Sequence, residues 1–144
     1  MFHIVLHEPE IPNNTGNIGR TCIATGCRLH LIRPLGFSTD EKACRRAGLD
    51  YWPRLGPTEH DHWGAYLAAA HPAPSQLWLF SGDTGRPVWD AAIQPGDHLV
   101  FGKETAGLPE SLLAAHPGRV LTFPMIPEER SLNLATAVCA AVYE

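Results

Sequence analysis

Five short apolar runs, each cut off by proline, glycine or charged residues, limit the folds open to this chain more than any other feature. They are Phe2–His7, Leu29–Arg33, Gln76–Phe80, His98–Phe101 and Arg119–Phe123. Each is too short to be a buried helix and is bounded by turn formers, so each reads as a strand. Helical segments lie between them. Ile18–Thr25 is closed by Gly26, and Asp40–Gly48 starts from Thr39 or Asp40 as N-cap. His62–Ala70 ends before Pro72, a further helix starts near Pro109, and Ser131–Tyr143 closes the chain. In that last helix Leu134, Ala137, Val138, Ala141 and Val142 share one face. The turn formers Ile11–Asn17 predict a loop before the first helix, and Tyr51–Pro53 a short edge strand. Strands alternating with helices predict one α/β domain over residues 1–144, with a mostly parallel sheet and ligand loops at its carboxyl edge.

Composition removes several alternatives. At 44% hydrophobic and 18% charged residues the chain is neither disordered nor membranous. No apolar run nears the roughly 18 residues of a membrane span, so no membrane partner is expected. Met1–Leu6 lacks the marks of a secretory signal, and the expected address is cytoplasmic. Cys22, Cys27, Cys44 and Cys139 form no close pair and read as reduced thiols. His60-Asp61-His62 finds no third ligand at a supporting spacing, so no metal is expected. The net charge of −4 hides an asymmetry, because residues 1–54 hold seven of the eleven Lys and Arg against five acids. A local basic face of this kind can bind phosphates on an acidic molecule.

Three segments carry the candidate chemistry. Asn13–Thr21 combines a glycine turn at Gly16 with Arg20, expected one turn into a helix whose free amides suit an anion. Leu99–Pro109 is a strand running into a Gly-bracketed loop, where Gly102 would let a ligand lie against the backbone. Within it Glu104 is either a functional charge or a cap. Leu121–Leu134 is an apolar loop stiffened by Pro124 and Pro127, able to offer backbone groups to an adenine edge.

In this order the segments N-N-T-G-N-I-x-R-T, F-G-x-E-x-x-G-L-P and P-M-x-P-x-x-R-S-L-N-L-A-x-A-V resemble the three motifs of SPOUT-superfamily RNA methyltransferases. Ile4–Pro12 and Arg45–Tyr51 extend the likeness to a minimal branch of that superfamily, small bacterial enzymes that methylate the wobble ribose of tRNA. The resemblance implies a carboxyl-terminal deep trefoil knot, S-adenosylmethionine as methyl donor with S-adenosylhomocysteine as product, and a homodimer. Its substrate would be cytidine or modified uridine at the wobble position, in leucine tRNAs. Another tRNA or rRNA site, or an inactive RNA-binding module of the same fold, are the alternatives.

By matching position, the resemblance implies cofactor contacts at Gly102, Phe123 and Ser131. It adds Phe80 through its backbone, since the family carries a leucine there. The same loops nominate Gly107, Met125 and Leu132 for the cofactor, and Asn17 and Arg130 for RNA. The family's catalytic arginine corresponds to Arg20, with Glu104 beside it as a candidate proton acceptor. A guanidinium hardly deprotonates, so Arg20 is expected to hold phosphate and steady the developing alkoxide. Lys42, Arg45, Arg46 and Arg54 are candidate contacts to the tRNA backbone. Lys103 departs from the pattern, standing where relatives often carry Pro or Ser.

Overall fold

A computed structural model describes residues 1–46 and 48–144, with only the backbone of Glu41 and Arg45. The five apolar runs become β1 (His3–His7), β2 (Arg28–Ile32), β4 (Leu77–Phe80), β6 (His98–Phe101) and β7 (Val120–Thr122). Two short strands that the sequence reading did not place, β3 (Thr58–His60) and β5 (Arg86–Pro87), close the edges. The seven strands run in the order β3-β2-β1-β6-β4-β7-β5, and every pairing is parallel.

Both faces of the sheet are covered, so the central strands are apolar throughout rather than alternating. One face gathers Ile4, Leu6, Leu29, Leu31, Leu99 and Phe101 with Ile18 and Val138. The other gathers Val5, Leu79 and Val100 with Tyr66, Leu108 and Leu112. The helices behind these contacts are α1 (Pro12–Thr25) and α6 (Leu134–Tyr143) on the first face. On the second lie α4 (Trp63–Ala70) and α5 (Glu110–Ala114).

Three expectations need correction. α1 begins at Pro12, so Asn13–Asn17 form its first turns and not a loop. The reason is packing. A Cβ at Gly16 would lie 2.9 Å from Leu49 Cδ2, and one at Gly19 2.8 Å from Leu55 Cδ2. These glycines let the helix press on its neighbours, and tertiary contact overrides their low helix propensity. The edge strand expected at Tyr51–Pro53 is instead the start of a one-turn helix, α3 (Trp52–Leu55), closed by left-handed Gly56 at φ 55°. α6 starts at Leu134, three residues late, because Asn133 caps it: its Oδ1 accepts from Ala135 N at 2.9 Å and Thr136 N at 3.2 Å.

Two further helix starts agree with the sequence. Asp40 Oδ1 accepts from Ala43 N at 2.7 Å at the head of α2 (Glu41–Arg46). His62 Nδ1 accepts from Ala65 N at 3.1 Å and caps α4.

The placement of β7 positions the site. It lies between β4 and β5, inside the excursion that leaves β4, reaches the far edge and returns to β6. Glycines line that crossing. A Cβ at Gly85 would sit 2.8 Å from Val120 O, and one at Gly82 2.9 Å from Arg130 O. Such an insertion is what a threaded carboxyl-terminal path requires. Among the described residues no helix is long and apolar enough to cross a membrane.

Candidate active site

Parallel sheets bind ligands beyond the carboxyl ends of their strands, and there the chain opens a cleft of about 300 Å³. Gly82 and Asp83, after β4, form one wall; Thr122 at the end of β7, with residues 123–127 and Glu129 after it, forms the other. Phe123, Met125 and Ile126 give it apolar surface, while Asp83 and Glu129 add carboxylates at a lining that is mixed in polarity. Behind it the Phe80 ring stacks on Phe101 at 4.4 Å and on Phe123 at 5.8 Å.

Of the expected cofactor residues, Phe123 and Met125 line this cleft. Phe80 supports it from the core with only 7% exposure. Gly82, Asp83, Ile126 and Glu129 were not singled out in the sequence. The turn-forming run Ser81–Gly85 directly after an apolar strand was the available signal for the first two. Ser131, Leu132 and Arg130 lie exposed on the segment between the cleft and α6, outside its lining.

The loop after β6 gives Gly102 a different reason for being glycine. Residues 103 and 107 bridge, with Gly107 N donating to Lys103 O at 2.8 Å. A Cβ on Gly102 would collide with the backbone of Gly107 and Leu108. On its Cβ side Gly102 is closed off by the loop itself. Gly102 therefore serves a tight turn, which holds its buried backbone at the carboxyl end of β6.

Glu104 ties this loop to α1. Its carboxylate accepts from Glu10 N at 2.8 Å, Ile11 N at 3.0 Å and Asn14 Nδ2 at 3.3 Å. Asn14 Oδ1 accepts in turn from Asn133 Nδ2 at 2.9 Å. The three motif segments thus meet in one hydrogen-bonded chain. Outside it, Glu10 Oε1 accepts from Thr105 N at 3.1 Å and Thr105 Oγ1 at 2.7 Å, and Lys103 Nζ lies 3.3 Å from Glu8 Oε2. The bonds from Thr105, side chain first, hold the Glu10 carboxyl below its ordinary range. A carboxylate of the chain's own, Glu104, thus lies just before the first turn of α1, the end of a helix that favours negative charge.

Arg20 sits about two turns into α1, not one. It is exposed, with its guanidinium carbon 5.0 Å above the Tyr51 ring. Tyr51 is itself fixed by donating its hydroxyl to Gly16 O. No hydrogen bond joins Arg20 to the strand-end cleft among the described residues. Asn17, Lys42, Arg46 and Arg54 are exposed, whereas the side chain of Arg45 lies outside the described residues. No group of three His, Cys, Asp or Glu among the described residues converges as a metal site.

A doubly covered parallel sheet, with β7 inserted beside β4 and a cleft at the strand ends, defines an α/β ligand-binding protein with an inserted carboxyl-terminal strand. The family model described as SpoU rRNA Methylase matches residues 1–143, and the chain belongs to that family. Its knotted path is implied by that membership. The chain is 50% identical over 145 residues to a tRNA (cytidine(34)-2'-O)-methyltransferase of Saccharophagus degradans, covering 100% of this chain and 93% of the relative. It is also 50% identical over 147 residues to a protein of the same name from Escherichia coli, covering 100% and 91%. A solved structure concerned with 2-OH methylation of the cytidine or uridine at position 34 of tRNA superposes with a TM-score of 0.87 at 46% identity, covering 99% of this chain and 92% of that one.

Proposed function

We propose that this chain transfers a methyl group from S-adenosylmethionine to the ribose 2′-oxygen of the wobble nucleotide of tRNA. The observation that carries this reading is the 50% identity, over the whole chain, to relatives named for that reaction at cytidine 34. The site suits the donor. Phe123, Met125 and Ile126 offer apolar walls to a flat heterocycle, and Asp83 and Glu129 offer negative charge to a cationic ligand. When bound, S-adenosylmethionine supplies a sulfonium methyl carbon, which forms a bond to the ribose oxygen as its bond to sulfur breaks and S-adenosylhomocysteine is left.

The chain's own residues orient and neutralise. Holding the ribose oxygen near the methyl carbon contributes on the order of 7–11 kcal/mol. Arg20 steadies the developing alkoxide and grips the adjoining phosphate with its guanidinium. Glu104 is already engaged by three donors at the head of α1. We therefore assign the 2′-hydroxyl proton to a phosphate oxygen of the RNA and give Glu104 a positioning role. Exposed Ser131 and Leu132 border the donor cleft in this reading, and Gly102 and Gly107 shape its neighbouring loop. Asn17, Lys42, Arg46 and Arg130 meet the RNA, and Arg45 is placed with them by sequence alone.

Because Arg20 makes no hydrogen bond to the cleft of its own chain among the described residues, we propose a homodimer in which each copy's Arg20 serves the other's cleft. The cytoplasm is the proposed compartment. The test is nucleotide-resolved mass spectrometry of total tRNA incubated with the protein and labelled S-adenosylmethionine. Label at the wobble ribose, first in leucine tRNAs, is the expected result. Label confined to another position, or none, overturns the reading.

A further inference from the structure

A second cleft, about 380 Å³, lies between the first turns of α1 and the segment carrying α2 and α3. Pro12 and Thr15 form one side, and Phe37, Cys44, Leu49 and Trp52 the other. Its size falls within the range of small-ligand sites, and its floor is apolar and aromatic. One polar atom does not fit that description. Thr15 lines the cleft, is fully buried, and its Oγ1 has no hydrogen-bond partner among the described residues. Buried hydroxyls nearly always find a partner, so an orphan beside a cavity points to a ligand that supplies one.

The surroundings narrow the ligand. Arg46 forms part of the cleft lining, and Arg46 and neighbouring Lys42 are exposed on α2. Thr15 precedes Arg20 by five residues on the same helix, about 7 Å along its axis. Resting on the methyl-transfer reading above, we infer that this cleft receives one unstacked RNA base, that of a nucleotide adjoining the methylated ribose. Phe37 and Trp52 supply apolar surface for the ring, the Thr15 hydroxyl bonds a base edge, and Arg46 and Lys42 hold the backbone outside. Single-stranded RNA is recognised in this way, by splayed bases on aromatic side chains with cations along the phosphates.

The test uses the full-length protein and a stem-loop RNA with an abasic site on either side of the target. In the wild type, one of the two abasic RNAs is expected to raise KM about tenfold, the loss that one stacked base brings. Ala43→Trp, which fills the cleft, raises KM on the intact RNA to a similar degree and adds nothing on that abasic RNA. kcat and S-adenosylmethionine affinity stay at wild-type levels. Thr15→Val raises KM without lowering Tm, because it removes an unsatisfied hydroxyl, and Thr15→Ser restores KM. A wild-type KM for Ala43→Trp overturns the inference, as do additive losses at both abasic positions. A change in sedimentation caused by Ala43→Trp also overturns it, in favour of a second copy as occupant. Fluorescence anisotropy of RNA binding reads the same contrasts without methyl transfer, so failure of the cleft and failure of the proposed reaction are told apart.

Discussion

Ile11 occupies the N-cap position of α1 with no side-chain group to offer, and Glu104, from a loop more than ninety residues away, holds the entry to the helix instead by accepting from the backbone N–H groups of Glu10 and Ile11. Glu104→Gln keeps the shape but turns one acceptor into a donor facing other donors. It is expected to lower stability by about 1–3 kcal/mol, read from urea denaturation. The pH profile of methyl transfer should keep its wild-type form, and loss of a limb would return Glu104 to the role of proton acceptor. Arg20 is fixed differently, by the face of Tyr51. Arg20→Ala is expected to slow single-turnover methyl transfer roughly 10²–10³-fold, as removal of one transition-state donor does elsewhere. Calorimetric affinity for S-adenosylmethionine should not change. An undiminished rate would remove Arg20 from the chemistry.

Strands β1, β2, β3 and β6 bring His3, His30, His60 and His98 onto one face beneath Tyr66 of α4. His3 Nδ1 lies 2.8 Å from His30 Nε2, His30 Nδ1 3.0 Å from His60 Nε2, and the Tyr66 hydroxyl 2.6 Å from His98 Nδ1. Each imidazole–imidazole bond needs one bare ring nitrogen, so the cluster is built for neutral rings. Burial, reinforced by neighbouring histidines and Arg28, pushes His30 down to about 3. Burial and His3 push His98 down to about 4 against the opposing pull of Asp97. Both folded values lie below the ordinary 6.5, so the unfolded chain binds more protons in acid. Their contribution is complete above pH 6.5 and drains away toward pH 4 and 3, at roughly 1.4 kcal/mol per group per pH unit. Urea midpoints should fall between pH 7 and pH 5, and a flat profile would show the rings already charged in the fold.

The strands carrying this cluster were mostly legible in the sequence, because short apolar runs between turn formers have few other uses. β3 and β5 were not, since Thr58–His60 and Arg86–Pro87 are edge pieces whose pairing depends on neighbours far along the chain. The start of α1 was hidden for another reason. Asn13–Gly16 look like a loop until Leu49 and Tyr51 are seen packed against Gly16. In the candidate site, Phe123 and Met125 could be read from their motif. The acid pair Asp83 and Glu129 could not, because only the insertion of β7 beside β4 brings them to one cleft.

At the scale of the whole molecule, the strand-end cleft and Arg20 belong to different parts of one chain, and no hydrogen bond joins them among the described residues. A reaction that needs both is completed either within one chain or by a second copy. Symmetric pairing is the economical answer, since a two-fold interface repeats each contact and completes two sites at once. The distinction is measurable by complementation. Arg20→Ala keeps an intact cleft, while Met125→Trp fills the cleft but keeps Arg20, and each homodimer alone should be nearly inactive. Unfolded together in equal amounts and refolded, the two form mixed dimers as half the population. If each cleft uses the partner's arginine, every mixed dimer carries one intact site, and activity returns to about a quarter of wild type. If each cleft uses its own arginine, every site in the mixture carries a lesion and nothing returns. Sedimentation of the mixture must show dimers in both cases, so that a failure to pair is separated from a failure to share. Recovery near a quarter makes the dimer part of the active site, and no recovery confines catalysis to the single chain.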